Sequence, residues 1–301
     1  MSGSFDISEL ALAHPFFFFY AGGLLLGGLI FMGLIGALLF MRSEWRGCHV
    51  ERWGIPWHEF ARYLGFAAFW ILSQQVLMGV VVSVFPTLDA DVLGVIGSFS
   101  MQLGLVALFI VFRMQQTALV KDFVNTRHPN LPLSLVTGFA LFMAAFPLIG
   151  MVGIGWQALL LALRNYGFDI PMETQDIVAL FGEETNPWMF GSLLFLAVVM
   201  APVSEELLFR AGIYRFLKGK LPLWAAMLIS SALFSSLHLN VLGFPSLMTV
   251  GICLCLVYEL TGNIRVAIIF HAIFNLNSII LITLMPEELQ VGMLHFSPWV
   301  W

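Results

Sequence analysis

Residues Phe16 to Met41 read FFFFYAGGLLLGGLIFMGLIGALLFM, a stretch without a single charged side chain. About 20 apolar residues suffice for a helix to cross the hydrocarbon core of a bilayer. This segment therefore predicts a transmembrane helix. Gly23 and Gly27, with Gly22, Gly28, Gly33 and Gly36 nearby, would let another helix approach closely. The preceding residues contain Asp6 and Glu9 but neither Lys nor Arg, and the apolar run exceeds the length of a secretory signal, so a retained span is expected.

The rest of the chain repeats the pattern. Apolar stretches run from about Leu64 to Phe85, Val92 to Phe112 and Leu133 to Leu163, the last long enough to be tilted or broken. An acidic, Pro-containing segment spans Asn165 to Pro187, after which apolar character resumes from Met189 to about Leu217. Three further runs lie near Leu221 to His238, Phe244 to Leu260 and Ile264 to Leu284. The expected fold is an all-α polytopic membrane bundle of about eight transmembrane helices. No tandem repeat or linker divides it, so residues 1–301 are read as one membrane domain. Composition agrees: 60% of residues are hydrophobic and only 10% charged, against roughly 25% charged in soluble domains. The bilayer is thus the first expected partner. With 13 basic and 18 acidic residues, a net charge of −5 and no basic run, nucleic-acid binding is excluded. Cys48, Cys253 and Cys255 are too few for a disulfide framework and lack zinc-type spacing.

Basic residues favour cytoplasmic loops. In an eight-span zigzag, Arg42, Arg46, Arg52 and Arg62 follow the first span, Arg113, Lys121 and Arg127 the third, Arg215, Lys218 and Lys220 the fifth, and Arg265 the seventh. All eleven fall on one side, and only Arg164 falls opposite. Both termini are then expected outside, together with the acidic loop carrying Asp169, Glu173, Asp176, Glu183 and Glu184. The expected setting is a bacterial inner membrane.

A few ionisable residues remain inside apolar runs: Glu205, Glu206, Arg210, His238, Glu259 and His271. A charge at mid-helix costs roughly 2.5 to 3.5 kcal/mol on insertion scales, so each needs a partner or a purpose. His14, His49, His58, His128 and His295 fall in loops or termini, leaving His238 and His271 as the intramembrane histidines. In Pro202-Val203-Ser204-Glu205-Glu206-Leu207-Leu208-Phe209-Arg210, a helix makes Glu206 and Arg210 i,i+4 neighbours and turns Glu205 about 100° away. Glu206 can pair with Arg210 while Glu205 faces a cavity. Pro202 could kink the helix and free a carbonyl. His271 and Asn275, four apart, share a face from which both can donate to a developing oxyanion. His238 could orient or deprotonate a water together with Glu205. Taken singly, the glutamate pair and Arg210 also fit a structural ion pair, and a histidine in an apolar helix is more often an interhelical hydrogen bonder than a catalyst. Together, from three neighbouring helices, they suggest a convergent polar site.

The three motifs, Glu205-Glu206…Arg210, Phe234…His238 and His271…Asn275, resemble the CPBP family of membrane-embedded proteases, which includes type II CAAX prenyl proteases and bacteriocin-processing relatives. The resemblance covers about Pro202 to Leu281 and also takes in the turn Thr261-Gly262-Asn263-Ile264; residues 188–284 are read as the motif-bearing core. It implies an intramembrane endopeptidase acting on a membrane-associated or lipid-modified peptide or protein. Glu205 would activate water with help from His238, and His271 and Asn275 would hold the oxyanion. Glu206 and Arg210 would support them. The resemblance permits zinc, since Glu and two His form a ligand set, but Asn is a poor ligand and no His-Glu-x-x-His motif is present, so no cofactor is expected. Two other classes fit the same residues: a proton-coupled transporter using the carboxylate and histidines as a relay, and a non-catalytic immunity or scaffold protein. Neither an inverted repeat nor matching broken helices favours transport. Depth poses one difficulty. From the cytoplasmic helix ends, Glu205 lies about 15 Å deep, His271 about 9 Å and His238 about 25 Å, so either the Leu221 to Ala225 stretch lies at the interface or the helices tilt.

Overall fold

The computed structural model describes residues 12–41, 50–87, 89–115, 130–170 and 186–284. Eight helical rods succeed one another: α1 (Pro15–Met41), α2 (Trp57–Val84), α3 (Ala90–Gln115), α4 (Leu131–Asn165), α5 (Pro187–Lys218), α6 (Leu223–Ser236), α7 (Phe244–Thr261) and α8 (Ile264–Leu284). Seven of them are long and apolar enough to cross a membrane. The protein is a polytopic helical bundle, as the sequence predicts. Cys48, His49, His128, His295 and Glu173 to Glu184 lie outside the described residues.

The sixth expected span is the exception. Its helix is only the 14 residues of α6, about 21 Å at 1.5 Å per residue and short of a hydrocarbon core of about 30 Å. The apolar run includes residues that are not helical: Pro222 stands before the first turn, and Leu237 to Leu239 form a turn after the last. His238 is therefore in a turn, not within a helix.

The long run from Leu133 to Leu163 forms one continuous helix of 35 residues with Pro147 inside it. Pro147 cannot donate to the carbonyl four residues back, Met143 O. That carbonyl faces Gly28 of α1, where a Cβ would lie 2.7 Å from Met143 O and 2.7 Å from Pro147 Cγ. Gly27 is similarly close to Met143, but Gly22, Gly23, Gly33 and Gly36 have open space around them. Of the glycines expected to admit a neighbour, only these two do. We predict that Gly28→Leu separates α1 from α4 and costs about 1–3 kcal/mol through overpacking. Thermal unfolding in detergent should show this loss, while Gly33→Leu leaves the transition unchanged.

α5 occupies the centre, touching α3, α6, α7 and α8, while α1 packs on α4 and is largely lipid-facing through side chains such as Phe16, Phe19 and Leu26. Several connections meet at one end of the bundle. Arg215 Nε donates to Glu51 O at 2.8 Å, Lys218 Nζ donates to Val50 O at 2.6 Å, and Trp53 N–H donates to Arg215 O at 3.0 Å. The segment entering α2 is thus clamped on the C-terminal end of α5. At the α7–α8 turn Gly262 adopts φ 63°, a left-handed cap suited to glycine, and Asn263 Nδ2 reaches Ser134 Oγ near the start of α4 at 3.4 Å. Glu259, an expensive residue in the sequence, is accounted for here: its Oε1 accepts from Lys218 Nζ at 2.5 Å and from Tyr214 Oη at 2.7 Å.

Candidate active site

α5 is not uniformly wound. α-Helix from Pro187–Phe195 gives way to π-helix over Leu196–Met200, returns to α over Ala201–Glu206, and widens again over Leu207–Tyr214 before a final α turn. In the first π stretch Ala201 N–H donates to Leu196 O, five residues back. The same register would give Ala197 O to residue 202, which is proline and has no N–H. The carbonyl freed in this way is taken by Asn275, whose Nδ2 donates to Ala197 O at 2.7 Å. Pro202 thus frees a carbonyl just before the glutamate pair, as its sequence position suggests, and α8 supplies the replacement donor. Asn275→Leu is expected to leave this carbonyl unpaired and to cost about 1–3 kcal/mol, read as a lowered midpoint of thermal unfolding.

The next α segment carries Glu205 and Glu206 to different surroundings. Glu206 is fully buried, and its Oε1 accepts from Arg210 Nη1 at 2.9 Å and from His271 Nδ1 at 2.9 Å. Arg210, also fully buried, donates through Nη2 to Gly251 O at 3.3 Å and lies 4.5 Å from the centroid of the Phe234 ring. The i,i+4 ion pair forms as the spacing requires. Glu206 does more than neutralise Arg210, however: it accepts a proton-bearing nitrogen of His271 and so fixes the orientation of that ring.

The other face of the same imidazole points to Glu205, with His271 Nε2 3.8 Å from Glu205 Oε2. Two atoms at that separation can both hydrogen-bond one water. Glu205 Oε2 is buried and makes no hydrogen bond among the described residues. Its side chain lines a cavity of about 290 Å³ whose wall also includes His238, Leu237, Phe209, Gln102 and Met101. The glutamate and the second histidine therefore open on one space. His238 Nδ1 lies 2.8 Å from Phe234 O, which directs the imidazole back along α6. Leu239, the next residue, has φ 50°, a left-handed conformation costly for leucine. Asn240 Oδ1 accepts from Gly243 N–H at 2.7 Å and helps hold this turn.

Phe234 explains the spacing of the second motif. Its ring centroid lies 4.8 Å from that of His238, 5.7 Å from that of His271 and 5.3 Å from that of Phe209, while Arg210 sits over its face. One aromatic ring thus touches Arg210 and both histidines. Two residues escaped the sequence reading. Gln102 of α3 is buried on the cavity wall, and Ser204 Oγ hydrogen-bonds its Oε1. An uncharged residue in an apolar run gives no signal of its own. Among the described residues, no group of three or more His, Cys, Asp or Glu side chains is arranged to hold a metal ion. Glu206 and His271 Nδ1 are already committed to one another.

The fold and this centre define a polytopic membrane protein with a buried glutamate–histidine cluster in its C-terminal half. Residues 187–277 match the family described as "Type II CAAX prenyl endopeptidase Rce1-like", which bears out the CPBP resemblance carried by the three motifs. The chain is also 25% identical over 191 residues to a Bacillus subtilis (strain 168) protein named "Putative membrane peptidase YdiL", covering 63% of this chain and 73% of the relative. No solved structure matches.

Proposed function

We propose that the protein is an intramembrane endopeptidase that hydrolyses a peptide bond of a membrane-associated substrate without a metal, using Glu205 as general base. The observation that carries this reading is Glu205 Oε2: buried, without a hydrogen-bond partner among the described residues, on a cavity wall shared with His238 and 3.8 Å from His271 Nε2. Glu205 takes a proton from water, and the water oxygen bonds to the scissile carbonyl carbon as the carbonyl electrons move to oxygen. His238 orients the water. His271, held by Glu206, and the second amide hydrogen of Asn275 donate to the oxyanion. Collapse of the intermediate breaks the C–N bond, and Glu205 returns its proton to the departing amine. Arg210 Nη1 and His271 Nδ1 both meet Glu206 Oε1, so the buried carboxylate holds the imidazole in place beside Glu205.

The family match and the relative's name support peptidase chemistry at the level of class. The clustering of Val50, Glu51, Arg215 and Lys218 at one end of the bundle supports placing that basic end in the cytoplasm of a bacterial inner membrane, with both termini outside. The test is a comparison of new protein termini in membranes expressing the wild type and the Glu205→Gln form. Termini that depend on the wild type alone support the proposal. Identical sets from two folded, equally expressed proteins would overturn it.

A further inference from the structure

A second cavity, of about 300 Å³, lies between α2 and α3 and is lined by Gln74, Met78, Val82, Gly97, Ser98 and Met101 among others. Met101 also lines the cavity that contains Glu205 and His238, so the two spaces meet at this side chain. On α2 the wall continues from Ile71 in the first cavity through Gln74 and Met78 to Val82, spacings of three and four residues that keep one helix face toward the groove. Eleven residues of helix rise about 17 Å. An extended peptide advances about 3.3 Å per residue, so this length holds about five residues.

The lining indicates what occupies the groove. Gln74 is 6% exposed, and its Oε1 is buried without a hydrogen-bond partner among the described residues. Ser98 and Gln75 add polar groups to the same space. An isoprenoid or acyl chain has no donor to offer a buried carbonyl oxygen. An extended polypeptide within a bilayer does, because its backbone N–H groups find no water there.

We propose that the groove between α2 and α3 binds an extended segment of the polypeptide substrate, about five residues on one side of the bond presented to Glu205, with Gln74 Oε1 accepting a backbone N–H. This deepens the peptidase reading and rests on it. Gln74→Leu removes a buried, unpaired acceptor from the free protein, so folding is not at risk. On a substrate identified by its wild-type-dependent termini, we expect a five- to tenfold loss of kcat/KM carried by KM, the size of one lost hydrogen bond. A photo-crosslinking residue placed at Val82 in the full Glu205→Gln chain should attach to the same substrate within about five residues of its cleavage site, whereas one at Leu77 should not. Adducts with lipid alone, or an unchanged KM in Gln74→Leu, would overturn the groove assignment and leave the peptidase reading standing. Adducts with polypeptides that the wild type never cleaves would instead sink the peptidase reading on which the assignment rests.

Discussion

A Glu205→Gln variant is expected to fold like the wild type and to lose hydrolysis by a factor of about 10² to 10⁴, the usual contribution of a positioned general base. Its fold should survive because Glu205 Oε2 makes no hydrogen bond among the described residues and the side chain lies on a cavity wall. Glutamine has nearly the same shape and can still hydrogen-bond water, but it cannot take up the proton. A single-turnover assay on a substrate defined by its wild-type-dependent termini, beside a melting curve of the same preparation, reads both properties. Undiminished cleavage by the folded variant would remove Glu205 from the mechanism. Loss of a proton-dependent flux with cleavage intact would favour the transporter class.

The second large effect is on stability and belongs to the neighbouring carboxylate. Arg210→Met leaves Glu206, fully buried, without its cation, and breaking such a pair on one side costs about 3–5 kcal/mol. The thermal midpoint in detergent should fall sharply. Adding Glu206→Gln to Arg210→Met removes the stranded charge and keeps an amide oxygen for His271 Nδ1, so much of the loss should return. Recovery in the double variant separates an electrostatic cause from lost packing of the guanidinium over Phe234. If the single and double variants melt together, packing is the cause.

These two glutamates also show how far the sequence could be read. Their division into a paired residue and a cavity-facing one follows from helical spacing alone, and the apolar runs give the helical bundle for the same reason: bilayer thickness and helix pitch leave few alternatives. The convergence of Glu205, Glu206, Arg210 and His271 was legible because charges inside apolar runs are too costly to be incidental. Hydropathy alone puts His238 within a helix, because it does not register where a short helix such as α6 stops. Spacing presents Asn275 only as an oxyanion donor, since its bond to Ala197 O depends on a π-register that residue spacing does not reveal. Gln102 and Gln74 are invisible for a simpler reason: a neutral amide in an apolar run belongs to no charge pattern or motif, and their roles depend on which face of α2 or α3 meets a cavity.

The two widened stretches of α5 act as built-in insertions. Each π turn takes up one residue more than an α turn, shifting everything beyond it by about 100° around the axis. Asn186 and Glu205 are therefore out of phase with ordinary helical counting. A relative lacking one residue between positions 196 and 200 would keep its hydrophobic length almost unchanged yet swing both carboxylates a quarter turn toward a different neighbour. In this protein chain length within the span, as much as residue identity, sets the direction in which the acids point.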